Sequence, residues 1–181
     1  MRLFVIISAL ACALSSPSAS AQAEQPAVPP VPEAGAQAQS STTAVTRSAV
    51  QIGILSCAAR INQLSTYLGY NDKSAALLFN PGQQQDQRLI PIVMELQGNG
   101  PTAFASLSVA PNQANGCGAT YDAVVYWPQK CDAVASKDFA GFRKQGALRK
   151  DVTVLDGGPF TKVFLMAAGA GCVSIKKELA L

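Results

Sequence analysis

The chain has 181 residues, 49% apolar and 14% charged, with 14 Lys and Arg against 11 Asp and Glu and no histidine. It is too apolar for a disordered chain and too poor in charge for a solvated helical rod, and a formal charge of +3 is too small to call for nucleic acid. The missing histidine removes the commonest general base, together with every catalytic triad or metal site built on it.

Met1-Arg2, the apolar run Leu3 to Leu14, Pro17 and the small residues Ser18-Ala19-Ser20-Ala21 read as a secretory signal peptide over 1–21, with cleavage after Ala19-Ser20-Ala21 and a mature start at Gln22. The run is shorter than the roughly 20 apolar residues that a membrane span needs, so no transmembrane segment is expected after processing. Cys12 lies in an Ala-Leu-Ala-Cys sequence that resembles a lipoprotein site, but only eleven residues precede it. Cleavage at Ala21 is therefore the preferred reading, with lipidation at Cys12 as its alternative.

Residues 22–44 are rich in Ala, Gln and Pro and have no large apolar side chain beyond Val28 and Val31. Such a segment buries too little surface to offset its ordering entropy, so it reads as a disordered tether before a single domain over 45–181. From Thr46 the pattern turns helical. Val50, Ile54, Cys57, Ile61, Leu64 and Leu68 recur at spacings of three and four, which predicts one amphipathic helix capped by Thr46 or Ser48 and closed by Gly69. Gly53 then falls inside that helix, where it costs about 1 kcal/mol relative to Ala and suggests close approach of another backbone.

After Asn71 the period drops towards two. Strands are expected over 74–79, 89–96, 102–109 and 119–127, separated by the polar loop Asn80 to Gln87 and by Gly98-Asn99-Gly100-Pro101. The third alternates cleanly, with Ala103, Ala105, Leu107 and Val109 on one face and Phe104, Ser106 and Ser108 on the other, as in an antiparallel strand with one dry side. The fourth belongs to Asn115–Cys131, which contains the only tryptophan and reads as the core of the domain. A second helix is expected over 131–146, with Val134, Phe139 and Phe142 on one side. Strands return over 152–155, 161–167 and 172–179, with turns at Asp156-Gly157-Gly158-Pro159 and Gly169-Ala170-Gly171. The predicted fold is α+β: a mainly antiparallel β-sheet with an N-terminal amphipathic helix and a second helix packed on it, stapled by disulfides.

The staples are Cys57, Cys117, Cys131 and Cys172, an even number in a chain directed to an oxidising compartment. Their spacings of 60, 14 and 41 residues contain no C-x-x-C pair, which argues against a zinc site and a thioredoxin-type centre. A straight strand over 119–127 advances about 27 Å, of which the four steps to Cys131 recover only about 14 Å, so bridging Cys117 to Cys131 is disfavoured. The other two connectivities stay open.

Several groups are candidates for chemistry. Glu95 and Asp122 lie in strands and could face one another as acid and base, although outward positions of a sheet explain them as well. Asn115-Gly116-Cys117-Gly118 could hold an activated thiol, and a half-cystine in a turn is the simpler account. Gly169-Ala170-Gly171 lacks the strand-to-helix context of a phosphate loop and reads as a hairpin turn. Arg143, Lys144, Arg149, Lys150, Lys176 and Lys177 form a candidate basic face, and Tyr67, Tyr70, Tyr126 and Trp127 are candidate anchors. With no catalytic constellation and no cofactor expected, the preferred expectation is an exported protein, periplasmic or extracellular. It would serve as a noncatalytic binding or assembly module of a bacterial cell envelope, whose partner is another exported or envelope protein. The alternative is an inhibitor or immunity protein against a secreted hydrolase or toxin, acting through Asn80–Gln87 or Asp156–Pro159. An enzyme using Asp, Glu or Lys stands third.

Overall fold

Two glycines decide how the chain enters its domain. The structure, a computed structural model, describes residues 41–181; the expected leader and most of the tether lie outside them. Helix α1 (Ala44–Gln51) is capped by Thr43, whose side-chain oxygen accepts from Thr46 N at 3.3 Å, so Thr43 takes the role expected of Thr46 or Ser48. The helix stops at Gly53, which has φ +89°. Gly53 N donates to Val50 O and Ile54 N to Ala49 O, the paired bonds of a Schellman cap. A second helix, α2 (Ala58–Tyr67), ends at Gly69 (φ +81°) with the same pair, Gly69 N to Thr66 O and Tyr70 N to Ser65 O. The single helix expected from Thr46 to Gly69 is thus two helices. Gly53 is there for its left-handed backbone; a Cβ on it would meet nothing closer than 4.0 Å, so no backbone approaches it.

The strands are β1 (Ala75–Leu78), β2 (Ile90–Leu96), β3 (Ala103–Asn112), β4 (Gly116–Trp127), β5 (Arg143–Ala147), β6 (Val152–Asp156), β7 (Thr161–Ala168) and β8 (Gly171–Ala180), with α3 (Cys131–Lys137) between β4 and β5. The second expected helix is therefore half as long as its pattern suggested. Phe139 and Phe142 fold into a turn with their rings edge to face at 5.6 Å. The Phe142 ring packs against Gly157, where a Cβ would sit 2.3 Å from Cε1. That contact turns Arg143–Ala147 away from the helix axis and into a strand.

All strands join one antiparallel sheet in the order β1-β2-β3-β4-β8-β7-β6-β5. The order reads as two four-stranded meanders joined by their last strands. Each meander follows a helix, and each carries a disulfide at the same place. Cys57, the N-cap of α2, bonds Cys117, the second residue of β4; Cys131, the first residue of α3, bonds Cys172, the second residue of β8. Asp122 and Lys177 are direct partners in the β4–β8 ladder and hold equivalent places in the two halves, five residues beyond the cysteine in each strand. A pseudo-two-fold axis passes between them.

The helices share one face of the sheet. Val45, Ala49, Ile54, Ile61 and Leu64 bury against Ile90, Ile92, Met94, Ala105, Leu107, Val109 and Tyr121 in a first cluster. Val134 buries against Leu155, Val163, Leu165 and Cys172 in a second. Among the described residues no helix is long and apolar enough to cross a membrane.

Candidate functional site

Among the described residues no helix lies over the opposite face of the sheet. An antiparallel sheet that turns one side to water ordinarily carries polar residues there. Here the register brings apolar residues from five neighbouring strands into one row: Phe104 opposes Val124, Val124 opposes Ile175, Ile175 opposes Phe164 and Phe164 opposes Val154. A parallel row follows two residues along, with Tyr126, Val173, Met166 and Val152 in line. Phe104 and Tyr126 keep 50% and 52% of their surface exposed, Val124, Ile175 and Phe164 are half-buried, and Val154 at the β6 end of the row is buried. Four strand spacings make the first row about 19 Å wide.

On its other side the first row is bordered by charge. Asp122, Lys177, Lys162, Asp156 and Arg143 lie opposite one another in sequence across β4, β8, β7, β6 and β5. They are joined as Asp122–Lys177 at 2.9 Å, Lys162–Asp156 at 2.7 Å and Arg143–Asp156 at 2.8 Å. The hydrogen bonds from Lys162 and Arg143, with Gly158 N–H adding a third, hold the Asp156 carboxyl well below the usual carboxylate range. The border is thus a row of ion pairs. An apolar band edged by ion pairs can cover a partner's apolar surface.

The covered face holds a polar cluster where β4 meets β8. Tyr121 OH donates to Glu178 Oε2 at 2.8 Å, and Lys176 Nζ lies 2.9 Å from the same oxygen and donates to Tyr67 OH at 3.1 Å. The ammonium also stands 5.3 and 5.7 Å from the Tyr67 and Tyr121 ring centres. Burial pushes the Tyr121 phenol up; the Lys176 bond opposes this and the Glu178 bond adds to it. Burial works against the Lys176 charge, but the bonds to Tyr67, Glu178 and Tyr121 outweigh it and raise its pKa. Burial likewise opposes the Glu178 charge, and Lys176 and Tyr121 outweigh it, so its carboxyl lies below the ordinary value. At neutral pH the cluster is a closed ion pair. Lys176 there is neither a neutral amine nor part of an outer basic face.

The residues singled out by sequence fall as follows. Glu95 and Asp122 stand on the same open face with β3 between them, roughly 12 Å apart along the backbone grid rather than across a cleft. Glu95 accepts from Gln97, and Asp122 is engaged by Lys177. The Cys117 thiol is spent in its disulfide, and the turn before it is braced by Asn112 Oδ1, which accepts from Ala114 N and Asn115 N. Gly169-Ala170-Gly171 is the β7–β8 hairpin. Of the basic candidates, Arg143 pairs with Asp156, Lys144 lies 3.8 Å from Asp132, and Lys176 and Lys177 point to opposite faces of β8. Among the aromatics, Tyr67 and Tyr126 are exposed, whereas Tyr70 packs on the first core. Trp127 packs on the second and donates from Nε1 to Ser174 Oγ at 2.8 Å. Neither candidate loop is a free projection. Asp86 ties Asn80–Gln87 down by accepting from Leu55 N, Ser56 N and Ser56 Oγ, and Asp156 has its two ion pairs.

The band has no local signal in the sequence. Phe104, Val124, Val154, Phe164 and Ile175 are spread over 72 positions, and only the strand order puts them in a row. Compared with family models, curated proteins and solved structures, the chain matches none.

Proposed function

We propose that this chain is an exported, noncatalytic binding or assembly module that holds its partner against the open sheet face. The observation that carries the reading is the row Phe104–Val124–Ile175–Phe164, apolar where a solvated sheet is ordinarily polar. Two disulfides are compatible with an oxidising compartment, and the partner expected there is another exported or envelope protein.

The inhibitor reading draws less support, because both loops that would carry it are fastened to their own domain. Asp156→Ala, an obvious probe of that reading, would also break the ion pairs of β5, β6 and β7.

The test is a cross-linked capture from the native envelope fraction using the wild type and the double variant Phe104→Ser/Phe164→Ser. The expected result is a partner recovered by the wild type and reduced at least tenfold by the variant, with the variant's melting temperature little changed. Equal recovery by both would remove the open face from the binding mechanism, and a partner that proves to be one secreted hydrolase, inactive when bound, would favour inhibition.

A further inference from the structure

The two edges of the sheet are built differently. Strand β5 is guarded: all five of its residues are exposed, Arg143 and Lys144 are charged, and its register shifts between Lys144 and Gly146. Charge and a bulge are the usual means of keeping another strand from adding to an edge. Strand β1 has none of these. No charged residue occurs from Ser74 to Asn80, the β1–β2 register is unbroken, and Leu77 and Phe79 are 61% and 50% exposed.

The hydrogen-bond parity of β1 defines what the edge can receive. Phe79 N–H donates to Pro91 O at 3.1 Å, so Phe79, Leu77 and Ala75 direct their backbone groups at β2. Ala76 and Leu78 then direct theirs outward, and no described residue bonds to them. Two outward donors and two outward acceptors, two residues apart, fit an extended strand.

We infer that this strand is β1 of a second copy, paired antiparallel about a two-fold axis so that two sheets continue into one of sixteen strands. The inference does not depend on the reading of the open face. The pairing that uses all the outward groups sets Ala76 opposite Leu78 of the second copy, and by symmetry Leu78 opposite Ala76. That register is self-complementary on the open face. Leu77 meets its own counterpart on the axis as a non-hydrogen-bonded pair, with Cα atoms about 4.5 Å apart. Phe79, a large exposed side chain, falls opposite Ala75 of the other copy, a small exposed one.

Beside Ala75 lies a shallow depression of about 330 Å³, lined by Ala75, Leu77, Val93, Glu95 and Phe104, and it is there that the incoming phenyl ring would rest. Lys73 falls opposite Pro81 and Asp72 opposite Gly82, so no like charges meet. The contact is short, well below the roughly 800 Å² per partner of a standard interface. A weak, reversible dimer follows.

Sedimentation equilibrium of the disulfide-bonded protein up to about 1 mM reads this directly. The wild type should pass from monomer to dimer within that range and form nothing larger, since the pairing closes at two. Ala76→Pro removes only an outward donor, and Leu77→Lys sets two like charges on the axis. Each should weaken the dimer at least tenfold without lowering the melting temperature by more than a few degrees; should Ala76→Pro fail to fold, Leu77→Lys decides. A wild type that stays monomeric throughout, one that grows beyond a dimer, or a dimer that a folded Leu77→Lys leaves intact would each overturn the inference.

Discussion

The two halves of the sheet share a plan and differ in substance. In each, a disulfide runs from the start of a helix to the second residue of the fourth strand. The first half buries sixteen residues in its cluster under two helices, whereas the second buries five under the seven residues of α3. Hydrophobic stabilisation follows apolar area removed from water, so the first half has the larger driving force. The second half leans correspondingly harder on its disulfide and on the ion pairs around Asp156. Similar topology thus rests on different balances of forces.

The largest effects should come from removing the disulfides one at a time. By loop-closure entropy a 41-residue and a 60-residue loop are stabilised almost equally, by about 4 kcal/mol each at 25 °C. Cys131→Ser/Cys172→Ser and Cys57→Ser/Cys117→Ser should therefore lower global stability by similar amounts in denaturant titrations. Hydrogen exchange should separate them. The first variant is expected to lose protection in β5, β6 and β7 while β2 and β3 stay protected, and the second to lose protection more evenly. A second half that stays fully protected without its disulfide would contradict the contrast.

A smaller effect tests the helical layer of the first half. Gly53→Ala forces a Cβ into left-handed backbone at φ +89° and should cost about 1–2 kcal/mol, although the added methyl has space. Gly141, between Phe139 and Phe142, has no positive φ, and Gly141→Ala should be nearly neutral. If the two substitutions behaved alike in thermal melts, the Schellman cap would not be what divides α1 from α2.

The mildest expectation concerns acid. Asp86 and Asp156 have folded pKa values below the ordinary 3.8, and Glu178 one below 4.5. Groups lowered in this way contribute stability that is complete above the ordinary pKa and is lost as pH falls through the folded value. The melting temperature should hold from pH 7 to about 5 and decline below about 4.5, where the unfolded chain begins to bind protons that the folded one refuses. In Asp156→Asn the decline should be shallower and the neutral-pH melting temperature lower. An unchanged acid profile in that variant would leave Asp156 without a role in holding the second half.

Much of this architecture is legible along the chain, because alternation is a local signal. Ala103 to Val109 announces its dry and wet sides, and Ala105, Leu107 and Val109 are fully buried. Seven strands can be read in this way. The eighth, Arg143–Ala147, has no apolar alternation to announce it, and it follows Phe142, which rests on a glycine fifteen residues away. Gly53 was visible but ambiguous, since a helix interior and a Schellman cap differ only in the hydrogen bonds that follow. The likeness of the two halves shows in the sequence as a glycine before the half-cystine in both Gly116-Cys117 and Gly171-Cys172. Elsewhere equivalent positions differ: Tyr121 of β4 corresponds to Lys176 of β8. The open face could not be read at all without knowing that β8 lies beside β4.

That placement also bears on when the molecule can form. Strand β8 is synthesised last of the eight, yet it lies at the centre of the sheet, with β4 on one side and β7 on the other. Until residues 171–180 emerge from the ribosome, the first meander has an open twelve-residue margin along β4, and the second has no inner strand on which to assemble. Completion of the sheet thereby waits for β8, and a chain interrupted before residue 171 would present two unfinished sheets in place of one.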